Sequence, residues 1–136
     1  MNPMTTPCPS DLHALEICIP CAPPSANACW RTYRGHMVCS KEYTRFKELV
    51  KEHVGGLHIP ESWKYCDVFM TVRPKRRRCD VDNRVKPLFD ALTHAGVWSD
   101  DELVASFSID FEAPDRAQYP AGSTRVIIIE STEKYK

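Results

Sequence analysis

Apolar residues along this chain recur with two different periods, and each change of period marks an element. Leu15, Ile17 and Ile19 alternate with more polar neighbours, the period of a strand with one face on a core, and Pro20 ends the run. The stretch CAPPSANACWRTYRGH, residues 21–36, breaks both periods and predicts a long loop, a length that in a compact domain goes with function. From Ser40 onward Tyr43, Phe46, Leu49, Val50 and Val54 fall at helical spacing, with Ser40 able to cap the start and Gly55-Gly56 the end. Cys66, Val68, Met70 and Val72 then alternate against Tyr65, Asp67, Phe69 and Thr71, so a second strand runs directly into Arg73. Val85, Leu88, Phe89, Leu92 and Ala95 predict a second helix stopped by Gly96. Its start lies between Asn83 and Lys86, because Pro87 is harmless only in a first turn. Leu103, Ala105, Phe107, Ile109 and Phe111 predict a third strand, and residues 124–130 a fourth after the loop PDRAQYPAGS.

The order β-α-β-α-β-β implies an α+β fold, a small mixed sheet with helices packed on it. A length of 136 residues suits one domain, expected over 14–136. Residues 1–13, rich in Pro, Thr and Ser, are expected to form a mobile arm before it.

Charge changes this picture. The formal net charge is zero, which by itself argues against a general nucleic-acid glue. Residues 1–72 carry seven basic and seven acidic side chains. Residues 73–86, RPKRRRCDVDNRVK, carry seven basic and two acidic; residues 87–136 carry four basic and nine acidic. A strongly cationic block therefore lies beside an anionic half, and local fields of that kind decide which partners are attracted.

The seven cysteines are an odd number, and residues 1–13 have neither the charged nor the apolar region of a secretory leader. The longest uncharged run, Ile17 to Trp30, contains three prolines and cannot be a spanning helix. Reduced thiols in a cytoplasmic protein without a membrane segment are the expectation. Cys18-Ile-Pro-Cys21 has no second CxxC to complete a zinc site and reads as ordinary half-buried thiols.

The chemistry gathers behind the basic run. Asp80 and Asp82 are two apart, so on extended chain they point the same way, about 6.5–7 Å apart at the backbone, and can converge on one cation. A calcium loop is excluded: Val85 occupies its glycine position and Ala91 its closing glutamate. Magnesium, which needs few carboxylates and takes phosphate oxygens and water for the rest, fits. Asp100 and Asp101 either decorate a turn or, if the third strand pairs beside the second, return to the neighbourhood of Asp80. Lys86 is either an exposed i,i+4 partner or a cation aimed at a scissile phosphate. The run Arg73, Lys75, Arg76, Arg77, Arg78 could be an import signal. Its fusion to a strand and its preference for arginine favour bidentate phosphate contact.

The segment CDVDNRVKPLFDALTHAGVWSDD closely resembles the signature of the RusA family of Holliday-junction resolvases: Asp-x-Asp-Asn-x-x-Lys, Phe-Asp-Ala-Leu, Ala-Gly-x-Trp and a terminal acidic pair. The upstream PPSANACWR is similar to the family's Pro-Pro-Ser-x-Asn segment, matching its asparagine to Asn27, and the resemblance spans about 17–131. It implies that Asp80, Asp82 and Asp101 bind catalytic Mg2+, that Lys86 is the essential lysine, and that Asn83 stands beside the metal. Asp100 ranks below Asp101. Where the family places a basic residue before the first aspartate, this chain has Cys79, leaving Arg78 to substitute. The resemblance further implies a homodimer making paired cuts in four-way junction DNA, with no small-molecule cofactor. Two rivals stand beside it. One is a non-catalytic branched-DNA-binding module in which the aspartates cap a helix; the other is a different metal-dependent phosphohydrolase.

Overall fold

The computed structural model describes residues 14–25, 29–76 and 84–133 of the chain. The expected arm at 1–13 lies outside them. In chain order come β1 (Ala14–Ile19), β2 (Trp30–Tyr33), β3 (His36–Cys39), α1 (Lys41–Val54), β4 (Tyr65–Arg73), α2 (Val85–His94), β5 (Val104–Phe111) and β6 (Ser123–Ser131). Strands β1, β6, β4 and β5, in that spatial order, form one mixed sheet. β6 runs antiparallel to both β1 and β4, while β4 and β5 are parallel and joined through α2. The α+β class is therefore as the periodicity implied, with an added hairpin, β2–β3, in a stretch expected to be loop.

The alternation on each strand explains where the core sits. Leu15, Ile17 and Ile19 of β1, Cys66, Val68, Met70 and Val72 of β4, and Val126 and Ile128 of β6 are all buried. All but Val72 join Phe46, Val50 and Val54 of α1 and Leu88, Phe89, Ala91 and Leu92 of α2 in a single apolar cluster. Each valine, leucine, isoleucine, phenylalanine and methionine among them contributes about 1.5–3 kcal/mol by leaving water, so this face fixes the register of the sheet.

The caps follow the sequence. Ser40 accepts a hydrogen bond from the Tyr43 N–H at 3.1 Å, and Gly55, at φ 59°, closes α1 in the left-handed conformation. α2 begins without a side-chain cap and carries Pro87 within its first turn. β5 departs from expectation. Its pairing with β4 slips between Cys66 and Asp67, and Phe107, expected inside, is 51 % exposed on this edge strand.

The hairpin was hidden from periodicity because neither of its faces is buried against the main core. Its turn is Arg34-Gly35, with φ 51° and 78°. A two-residue type I′ turn demands positive φ at both positions, normally from Asn, Asp or Gly. Arg34, the only non-glycine with positive φ among the described residues, costs about 1 kcal/mol there.

Gly122 joins the sheet to the loop that follows β1. Its φ is 79°, and a Cβ there would overlap the Arg73 carbonyl oxygen and the Ala22 side chain. The adjacent Ala121 carbonyl accepts the Ala22 N–H at 2.9 Å, which carries the chain toward Pro23. Gly122→Ala is therefore expected to lower unfolding stability by about 3 kcal/mol, from left-handed strain plus backbone displacement. Urea denaturation with an unchanged midpoint would show that the loop gives way at no cost.

Candidate nucleic-acid and metal site

β4 ends at Arg73 and delivers Pro74, Lys75 and Arg76 to one end of the sheet. With Ala22, Pro23, Glu42 and Arg84 these line a cleft of about 240 Å³. Three cations thus converge where β4 stops and α2 starts, and the cleft is bounded by the Pro-Pro segment after β1. Arg84 holds the corner. One terminal nitrogen donates to the Pro23 carbonyl at 2.5 Å, and its Nε is buried without a partner among the described residues.

Arg73 has a different situation from the rest of the basic run. Its guanidinium pairs with the Glu112 carboxylate, donates to the Ala113 carbonyl at 2.6 Å, and lies 5.1 Å from the centre of the Tyr119 ring. That charge is already balanced inside the protein, so Arg73 acts as a strut at the end of β4. Lys75 and Arg76 remain turned to the cleft.

Lys86 lies in the first turn of α2, its ammonium 3.1 Å from Asp90 Oδ1, as i,i+4 spacing allows. The side chain is 74 % exposed, which makes the pair weak and the ammonium free to leave it. Asp90 Oδ2 in turn accepts from the Tyr43 hydroxyl at 3.4 Å. Burial, and then the nearby Asp90 carboxylate, push the Tyr43 pKa up, so the phenol stays protonated and serves as that donor. The connection ties the middle of α2 to the first turn of α1.

The acidic pair sits elsewhere. Asp100 Oδ1 accepts the Glu102 N–H at 2.9 Å and caps a short 3-10 turn spanning Asp101–Leu103. Asp100 therefore has the turn-capping role. Among the described residues nothing engages the Asp101 carboxylate. The third strand does pair beside the second, but in parallel: Cys66 faces Val104 and Val72 faces Phe111. The pair is thereby carried to the Tyr65 end of β4, about 20 Å along the strand from Val72 at ~3.3 Å per residue. Lys86 and Asp101 stand at opposite ends of α2, whose ten residues rise about 15 Å.

Asn27, Arg77, Arg78, Asp80, Asp82 and Asn83 lie outside the described residues, as does Cys79. In the sequence Asn27 follows Pro23-Pro24, and the other six lie between Arg76 and Arg84; Pro23, Arg76 and Arg84 line the cleft. Among the described residues no three metal-ligating side chains cluster. Of the three carboxylates assigned to magnesium only Asp101 is described, and a set of oxygen donors suits that ion. Sequence reasoning missed two cleft residues. Arg84 is counted in the basic block but was given no place; Glu42, one residue into α1, has no signal of its own in the sequence.

The described cysteines are all free thiols. Cys18 is exposed and Cys21 is half-buried, its Sγ donating to the Ala22 carbonyl at 3.3 Å. Burial pushes the Cys66 thiol up to about 11 and Cys29 likewise, so neither is a nucleophile at neutral pH. No helix among the described residues is long and apolar enough to cross a membrane.

Residues 20–129 match the family model described as "Endodeoxyribonuclease RusA". Similar proteins include a "Crossover junction endodeoxyribonuclease RusA" of Escherichia coli, 36 % identical over 94 residues and covering 64 % of this chain and 74 % of the relative. That of Shigella sonnei is 35 % identical over 94 residues, with the same coverage. One from Enterobacteria phage 82 is 36 % identical over 89 residues, again covering 64 % of this chain and 74 % of its own.

Proposed function

The chain belongs to the RusA family of endodeoxyribonucleases, and from that premise we propose that it is a magnesium-dependent, homodimeric resolvase. Its substrate is a four-way DNA junction, opened by hydrolysis of two opposed phosphodiesters during recombination and repair in the cytoplasm. The observation that carries the reading is a coincidence of place. Lys75 and Arg76, which come just before the segment matching the family signature, and Arg84, which lies within it, line one cleft.

In this reading Asp80, Asp82 and Asp101 hold the ion. When bound, it supplies Lewis acidity to the attacking water and the phosphate oxygens. The chain's own residues do the rest. Lys75 and Arg76, with Arg77 and Arg78, grip backbone phosphates that carboxylates alone would repel; Asn83 and Asn27 add polar contacts to the strand. Lys86 leaves Asp90 to offset the negative charge that grows as the bond breaks. Because Lys86 and Asp101 occupy opposite ends of α2, we assign Asp101 to the site of the second copy, related by the two-fold axis that matched cuts require.

Cleavage of a synthetic four-way junction, a flap and a linear duplex, with and without magnesium, tests the function. Paired nicks on the junction that vanish with chelator are expected; a preference for flaps, or no cutting of branched DNA, would overturn it. Lys86→Gln is expected to slow junction cutting roughly 10²–10³-fold while junction affinity stays within a few-fold. An equal loss of affinity would make Lys86 a binding residue only.

A further inference from the structure

The β2–β3 ribbon is the element for which the cutting chemistry has no use. It stands outside the main sheet, and an isolated two-stranded ribbon is marginal in water unless something packs on it. Packing is concentrated at its root, where the Ser40 N–H bonds to the Cys29 carbonyl at 2.8 Å and Trp30 meets Tyr43 edge-on at 6.2 Å. Beyond the root, Tyr33 is 59 % and Met37 66 % exposed, and Trp30 itself is 49 % exposed. Large apolar side chains so concentrated on a few residues mark a contact surface. The register puts Trp30 and Met37 on one face and Tyr33 and Val38 on the other, so the ribbon is apolar on both sides.

Charge and position identify the occupant. Residues 29–41 contain Arg31, Arg34 and Lys41 and no acidic residue. At the tip, Arg34 sits in the left-handed region over the Tyr33 ring, 5.3 Å from its centre. Asn or Gly would close the same turn without strain, so the fold tolerates an unfavourable backbone to put a cation at the extremity. The root is continuous with the candidate site: Trp30 touches Tyr43, Tyr43 bonds Asp90, and Asp90 holds Lys86. Aromatic faces interleaved with cations, beside a phosphate-gripping cleft, suit nucleobases whose π-faces have lost their neighbours.

We infer that the β2–β3 ribbon is a wedge, with Tyr33 and Met37 stacking on unpaired bases at the branch point of the DNA that the cleft holds. This rests on the junction reading above and names how the branch is recognised. Stacking surfaces of this kind are sequence-tolerant, so the wedge selects shape rather than base identity.

The test uses a four-way junction carrying 2-aminopurine either at the branch or in mid-arm, in the absence of divalent metal so that nothing is cut. With the parent protein, fluorescence is expected to rise at least about two-fold at the branch and not in mid-arm, because unstacking relieves quenching. Tyr33→Ala is expected to lose most of that rise with linear-duplex affinity unchanged, and Tyr33→Phe to keep it. Met37→Ala provides a second variant should Tyr33→Ala fold poorly by circular dichroism. A bound junction with no branch signal would overturn the wedge and leave the resolvase reading standing, as would full signal in both alanine variants. Equal loss of duplex and junction binding would reduce the ribbon to a phosphate contact. A change of oligomeric state on gel filtration would give it to the subunit interface instead. Failure of the parent to prefer junction over duplex would remove the function itself, and the wedge with it.

Discussion

Asp80→Asn protein is expected to cut a four-way junction at least roughly 10³-fold more slowly than the parent, yet to bind it as tightly or more tightly. The two effects have one cause. Asparagine keeps the size of the side chain and removes an anion. On the proposed reading a ligand to the metal is lost, and so is a charge that faces the DNA backbone. Gel-shift titration and single-turnover cleavage on the same substrate separate them. A variant that still cuts would take Asp80 out of the site, and the reading of Asp-x-Asp as a metal pair would go with it. A variant that neither cuts nor binds would point to a structural role at the junction of β4 and α2. The rival module without catalysis makes the opposite forecast, because a helix-capping aspartate has no reason to separate binding from cutting.

Mixing two dead proteins is expected to restore cutting. On the proposed reading every site of the Asp82→Asn and Asp101→Asn homodimers lacks one ligand, whichever chain supplies it. A heterodimer of the two differs. If Asp101 reaches across the two-fold axis, one site collects both lesions and the other is intact, so the heterodimer nicks one strand. If each chain builds its own site, both sites stay damaged and nothing is cut. Isolating the heterodimer by two different affinity tags and following a junction labelled on each strand reads the answer directly. A silent heterodimer would return Asp101 to its own chain and require residues 77–83 to span the length of α2. The expectation of nicking rests on the parallel β4–β5 pairing and the ten-residue helix between them.

Much of the fold was legible because burial imposes a period. β1, β4 and β6 alternate cleanly since one of their faces meets the helices, and α1 and α2 show a 3.6-residue stripe for the same reason. The stop signals were equally direct: Ser40 caps α1, and Gly55 and Gly96 take the positive φ that ends each helix. Where burial is partial the signal failed. The alternation predicts for β5 a half-buried strand starting at Leu103. As an edge strand with a slipped register it begins at Val104 and leaves Phe107 half outside. The hairpin gave no period at all, because both of its faces meet solvent.

The candidate site divides in the same way. A basic run fused to a strand, and carboxylates two apart, are local facts that chemistry can interpret from spacing alone. Which of those cations are free is not local. Arg73 and Lys75 look equivalent in sequence, and only the return of Glu112 and Tyr119 to the end of β4 neutralises the first. Glu42 and Arg84 enter the cleft through the packing of α1 and of the Pro23 loop against it, from 60 or more residues away in one case.

By itself the sequence determined the class of fold, the boundaries of its buried elements, the charge asymmetry and the family signature. Each of these is written in short-range spacing. Tertiary structure alone decided the sense of the β4–β5 pairing, hence that Lys86 and Asp101 stand apart, and the projection of a ribbon with Tyr33 and Met37 exposed outside the main sheet. Strand direction depends on how far α2 carries the chain before it turns back, and exposure depends on what fails to pack on a segment. Both are properties of the whole assembly, and no window of residues contains them.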